Sequence, residues 1–237
     1  MRDSVQRLIV EFIGPFALTL IGVSAIIATG GKDLVAIALA HGLAIGLMVA
    51  AAGHISGGVY NPALTVGLAI TGKMPPMRAL AYIVAQLAGA TVAALVLTAV
   101  FPAAQRDAVH LGIPALGQGI SVGQGILFEV ILTFFLMFAV FGTAVDSRGP
   151  RGIAGLVIGL VITMDVLAGG AVTGAVMNPS RAFGVALVGG DWTNQWVWWV
   201  GPIVGALIAA FLYNYFLMPN VSEKTGQEEQ VRIENKL

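Results

Sequence analysis

Six stretches of this chain, near residues 8–28, 34–53, 78–101, 122–145, 152–170 and 195–218, are apolar over lengths that leave few folds open. A bilayer core roughly 30 Å thick is crossed by a helix of about 20 apolar residues. Inside hydrocarbon each backbone polar group needs a partner within the structure, and a helix supplies one locally. Each run is therefore expected to be a transmembrane helix. With 57% hydrophobic and 10% charged residues, and a mean hydropathy of +0.89, the chain lies far from ordinary soluble domains. Gly30, Gly31, Lys32 and Asp33 close the first run, Phe101-Pro102 the third, and "DSRGPRG" at 146–152 the fourth. "MRDSVQR" leads into the first run without a small-residue cleavage pattern, so that helix is expected to be retained.

Two further apolar segments, about 61–71 and 178–188, are too short to cross and each begins with Asn-Pro. They are expected to be re-entrant half-helices. "ISGGVYNPA" from Ile55 aligns with "VTGAVMNPS" from Val172 at an offset of 117, and Glu11 in the first run matches Glu129 in the fourth at 118. "QLAGA" at 86–90 echoes "PIVGA" at 202–206. Each half thus reads as helix, helix, half-helix, helix: repeat one spans about 5–101 and repeat two about 122–218. Three full crossings separate equivalent points, so the second half is inverted relative to the first, an arrangement of membrane transport proteins. The half-helices then enter from opposite sides and meet near the midplane.

Basic residues in short loops set the orientation. With the N-terminus in the cytoplasm, that side holds Arg2, Arg7, Lys73, Arg78, Arg148 and Arg151, and the outer side Lys32 and Arg106. Both termini are therefore expected to be cytoplasmic, with 219–237 a polar tail, persistently so from Val221, and the cell membrane as location. Trp192, Trp196, Trp198 and Trp199 cluster at the start of the last helix, as an anchor at the outer interface would.

The Asn-Pro pairs have a physical reading. Asparagine caps a helix by accepting from first-turn N–H groups. Proline suits the next position, where its missing donor costs nothing. The irregular backbone before each pair, "HISGGVY" and "GGAVTGAVM", is tolerated at membrane depth only when it is buried in protein or lines a watery cavity. Two helix N-termini meeting there each contribute about half a positive charge. They favour the oxygen of a neutral molecule and oppose cations, protons included. Arg181, three residues after Asn178, adds a full charge on that path, where a functional role is the default reading.

These residues resemble the aquaporin, or major intrinsic protein, family, which has two NPA boxes. Asn61-Pro62-Ala63 matches the first, and Asn178-Pro179-Ser180 the second with Ser in place of Ala. "GHISGGVYNPALT" and "MNPSRAFG" are close to family signatures, and the likeness runs over nearly all of residues 5–218. It implies an all-α membrane protein, a right-handed bundle of six transmembrane helices plus two re-entrant half-helices in two inverted repeats, over residues 1–218. It also implies a homotetramer with a pore in every protomer, for water and small neutral solutes. Ser180 falls in the first helical turn, where its hydroxyl alters packing or touches the lumen.

In the family an outer constriction sets selectivity, and its positions fall here on His41, Val166, Ala175 and Arg181. Water-specific members typically have an aromatic residue at the first and histidine at the second. Histidine at the first, with two small apolar residues, implies a wider pore and is similar to the plant tonoplast intrinsic branch, whose members often pass ammonia or urea. Ala182, where glycerol facilitators typically have Asp, and the Trp198-Trp199 pair are of the water-channel kind. Water is the expected solute, with ammonia, urea or hydrogen peroxide beside it and a glycerol-type facilitator as the alternative.

Glu11 and Glu129, inside the first and fourth helices, need partners at that depth, and their related placement suits support of the two loops. His54 opens the first loop and resembles the family's loop histidine, a third candidate for loop support. Asp165, next to Val166, is expected to pair with His41, Arg181 or an outer-loop group. His110 lies in a loop, where it is solvated or senses pH. Zero net charge argues against nucleic acid. Without cysteine, and with histidine only at 41, 54 and 110, neither a metal nor a cofactor is expected. An ion-coupled transporter, the remoter alternative, would need a coupling-ion site, and neither Asp165 nor the two glutamates is obviously placed beside a broken helix; an intramembrane enzyme would need a catalytic constellation that the sequence does not show.

Overall fold

A computed structural model describes residues 2–219; the polar tail from Val221 lies outside the described residues. Six long helices carry the apolar runs: α1 (Arg2–Thr29), α2 (Leu34–Ser56), α4 (Pro76–Val100), α6 (Val122–Val140), α7 (Ala154–Thr173) and α9 (Val197–Leu212). α6 and α9 each end in a π-helical turn, Phe141–Val145 and Tyr213–Leu217, that brings them to spanning length. Two short helices, α3 (Pro62–Ile70) and α8 (Pro179–Gly189), carry the Asn-Pro boxes. At 1.5 Å per residue they reach only about 14 and 17 Å, half a bilayer. The architecture is all-α, with no strand among the described residues.

Several expected details shift. α2 and α7 run to Ser56 and Thr173 before Gly57 and Gly174 turn left-handed (φ 101° and 82°), so the irregular segments shrink to about five residues each. A small helix, α5 (Ala103–Asp107), and a 3-10 turn, His110–Gly112, lie in the long connection between α4 and α6. Trp198 is no interfacial anchor: it is fully buried, while Trp192 and Trp196 lie exposed.

The bundle is built on close backbone approaches. A side chain on Gly89 of α4 would run into the Phe12 carbonyl of α1, and one on Gly205 of α9 into the Val130 carbonyl of α6. These contacts are equivalents in the two halves, and small residues there let helices pack where lipid offers no hydrophobic drive. α2 and α7, one from each half, cross backbone to backbone at Gly46 and Gly155. Leucines such as Leu39, Leu43 and Leu47 on α2 and Leu156 and Leu160 on α7 face outward. In water such faces would drive association; in a bilayer lipid can cover them.

Candidate functional site: a two-fold junction beneath two adjoining cavities

The two half-helices begin against one another. Asn61 caps α3 by accepting from Ala63 N (2.9 Å), and Asn178 caps α8 by accepting from Ser180 N (3.0 Å). Each then donates an amide hydrogen across the junction, Asn61 Nδ2 to the Met177 carbonyl at 2.8 Å and Asn178 Nδ2 to the Tyr60 carbonyl at 2.9 Å. An amide has two hydrogens, so each asparagine keeps one donor for the cavity that both line. Tyr60 and Met177 hold left-handed backbone (φ 53° and 52°), unusual for large side chains. Such strain costs about 1–3 kcal/mol per residue and persists only where surroundings enforce it.

Two buried carboxylates do so. Glu11 accepts from Val59 N (3.1 Å), Tyr60 N (2.9 Å) and the Ser56 hydroxyl (2.6 Å). Glu129 accepts from Val176 N (2.9 Å), Met177 N (2.7 Å) and the Thr173 hydroxyl (2.7 Å). Ser56 and Thr173 in turn accept from Gly58 N and Ala175 N, both at 3.1 Å. Their carbonyls are also held, Ser56 by the Tyr82 hydroxyl (2.8 Å) and Thr173 by the Trp198 indole (3.0 Å). This explains the burial of Trp198. The repeat spacing relates Ser56 to Thr173 and Tyr82 to Trp198, a signal that reading the loops alone passes over. Gln86 carries no sequence motif: it donates to Glu11 at 2.8 Å and Thr65 at 3.1 Å, and its counterpart by the repeat is Pro202.

His54, expected beside the glutamates, sits exposed in the last turn of α2 and makes none of these bonds. Ser56, two residues on, faces Glu11 instead. Ser180 is fully buried and donates its hydroxyl to Asn178 Oδ1 at 2.7 Å, so it tightens the cap and turns away from the lumen.

A cavity of about 380 Å³ runs from this junction to Lys73, Met74, Arg78, Ala144 and Val145 at one mouth. A second, of about 300 Å³, opens to the other side beneath Gly31, Val109 and Ala115. Three residues line both: His41, Val166 and Arg181. The two cavities therefore meet where these side chains converge. Ala175 lies on the wall of the larger cavity. The Arg181 guanidinium is almost wholly buried and donates from Nη1 to the Gly112 carbonyl at 2.8 Å. The 3-10 turn holding Gly112 has left-handed backbone at His110 and Leu111 as well, a fixture no motif announces. His41 Nδ1 lies 2.8 Å from the Ile37 carbonyl, an acceptor only, so Nδ1 holds the proton and a neutral ring leaves Nε2 as an acceptor.

Asp165 is buried behind Val166, with no hydrogen bond to His41 or Arg181 and with Oδ2 lacking any partner among the described residues. The expected pairing is therefore absent: Asp165 lines neither cavity, while its neighbour Val166 lines both. Outside the membrane, Asp146 pairs with Arg148 at 2.6 Å, and Arg148 also donates to the Leu217 carbonyl at 2.7 Å. This ties the loop after α6 to the end of α9. The Arg148 hydrogen bond holds the Asp146 carboxyl at about 2, below its usual 3.8.

The arrangement offers a small polar molecule apolar walls, donors at the junction and a cationic donor where the two cavities share residues. The chain matches the family model described as major intrinsic protein over residues 1–213. It is 44% identical over 224 residues to aquaporin TIP4-4 of Zea mays, covering 90% of this chain and 87% of that one. To the probable aquaporin TIP3-2 of Arabidopsis thaliana it is 41% identical, over 93% and 87%. Aquaporin-4 of Mus musculus is 38% identical, over 92% and 69%. Among solved structures, the aquaglyceroporin from Plasmodium falciparum superposes with a TM-score of 0.81 at 26% identity, over 90% of this chain and 97% of that one. A match over nearly the whole chain, joined to the paired Asn-Pro half-helices, makes this a member of the major intrinsic protein family.

Proposed function

We propose that this multi-pass membrane protein is a passive channel for water that also passes small neutral solutes such as ammonia, urea or hydrogen peroxide and excludes protons and ions. The observation behind the reading is the meeting of two cavities at His41, Val166 and Arg181, above a junction of two half-helix starts. Each helix start directs about half a positive charge at that path, and Arg181 adds a whole one. A neutral molecule with an accepting oxygen or nitrogen is stabilised, and a cation is opposed. His41, Val166, Ala175 and Arg181 are the proposed filter, Asn61 and Asn178 the inner donors, and Glu11 and Glu129 the loop supports. The glycerol-type alternative draws on the small walls at Val166 and Ala175 and on the aquaglyceroporin neighbour; Ala182 speaks against it. Neither a coupled ion nor a bond-making step is part of this reading, which is that of a channel and not of an enzyme.

The excess of basic residues on one side supports cytoplasmic termini, and the family resemblance supports a homotetramer. Relatives named TIP do not favour the cell membrane expected from the sequence, so location stays at an integral membrane protein. The discriminating experiment is a solute panel on proteoliposomes: osmotic steps of sucrose, urea and glycerol by stopped flow, and ammonia entry by internal pH. Water flux above that of empty vesicles, with glycerol slower than urea, is expected. Rapid glycerol entry would favour the alternative.

A further inference from the structure

The filter assignment leaves unexplained why a histidine at the narrowing does not close it. His41 projects from α2, which packs along α1, and its ring lies over Gly22 of α1. A methyl built on Gly22 would fall 2.6 Å from both Cδ2 and Cε1 of the ring and closer still to Nε2. Atoms of this kind sit about 3.5–4.0 Å apart at contact, so the ring could not keep its place. Away from Gly22, His41 borders the two cavities, which give the ring room to move.

We infer that Gly22 is a selectivity-determining position of the channel: by lacking a side chain it provides the recess on α1 that holds the His41 imidazole out of the lumen. The statement rests on the channel reading and on His41 as a filter residue, and it adds a residue from a helix that supplies none of the proposed filter. Three features define which way the ring would yield. The backbone of α1 is fixed beside Gly22, where Val23 is fully buried in a cluster with Ala94 and Leu97 of α4 and Val185 of α8. The imidazole is the far end of a side chain with two torsions, much softer than a helix. Its Nδ1–H is tethered to the Ile37 carbonyl on its own helix, so it pivots about that bond towards the free side. Gly22 acts through His41 and touches no solute, which makes it a positioning residue.

The test compares Gly22→Ala, His41→Ala and the double variant Gly22→Ala/His41→Ala in proteoliposomes. The readout is the ratio of urea to water permeability, or water permeability itself should the wild type pass nothing larger. One methylene of room in a fitted site discriminates by roughly tenfold, so Gly22→Ala should lower the readout about tenfold. The double variant should return it to the wild-type value or above, because the side chain displaced into the lumen is gone. A glycine needed only for packing would lower urea and water together and would not be rescued by His41→Ala, which would overturn the inference. So would an unchanged ratio in Gly22→Ala where His41→Ala alters it. An unchanged ratio in His41→Ala instead removes the filter assignment beneath the inference, and wild-type water flux equal to empty vesicles removes the channel reading itself.

Discussion

The two half-helix starts are built by one device, yet they do different work. Around Asn61 and Asn178 the capping, the crossed amide bonds, the left-handed Tyr60 and Met177, the carboxylates and the hydroxyls of Ser56 and Thr173 correspond pair by pair. The differences lie one layer out. The first site is braced by Gln86, while Pro202 stands at the equivalent place in the second. The second has Ser180 where the first has Ala63, and Arg181 where the first has Leu64. Symmetric groups hold the backbone, and asymmetric ones include the residues proposed to decide what passes. A duplicated scaffold can therefore keep its junction fixed while one half acquires the charge and the other, through His41, the shape of the narrowing.

Removing the carboxylates breaks the comparison most forcibly. Glu129→Ala strips two buried backbone N–H groups of their acceptor, at about 1–3 kcal/mol for each. Water permeability should be lost and the thermal unfolding midpoint in detergent should fall. Glu11→Ala should cost less, because the side-chain oxygen of Gln86 can turn to the orphaned donors; equal losses would deny Gln86 that role. The capping asparagines come next. Asn61→Ala removes a cap, worth about 1 kcal/mol, and one crossed bond. Asn178→Ala should cost about 1 kcal/mol more by the same thermal assay, since the Ser180 hydroxyl loses its acceptor too.

Ser180→Ala makes the second box like the first. The expected change is within about 1 kcal/mol of stability, with water permeability unaltered. A permeability change beyond twofold would place the hydroxyl in the lumen's business after all. The smallest effect concerns Asp146, whose bridge to Arg148 has no partner in the first half of the chain. Its folded carboxyl titrates at about 2, below the ordinary 3.8. The bridge thus contributes in full above about pH 4, and that contribution is lost as pH falls through 2. Asp146→Asn should show a slightly lower midpoint at pH 7 and a flatter decline between pH 4 and 2.

The architecture was legible because lipid enforces it: six apolar runs of spanning length and two that are too short have few other solutions. The repeat then located Glu11, Glu129 and both asparagines, because each is a pair. What the sequence withheld is whatever breaks the pairing or depends on direction. Gln86 has no twin to betray it. Trp198 reads as an interfacial anchor until its indole is found on the Thr173 carbonyl. His54 and Ser56 are two residues apart on one helix and point to different surroundings, which a loop motif does not resolve. The grip of the Gly112 carbonyl on Arg181 comes from a turn of irregular backbone, where neither periodicity nor composition speaks.

The account stands or falls on passive water flow through one protein. Purified protein in liposomes, given an outward osmotic step with a pH-sensitive dye inside and no ion gradient, should shrink several-fold faster than empty vesicles while internal pH stays constant. Shrinkage at the empty-vesicle rate, a need for an ion gradient, or proton entry alongside the water would contradict it.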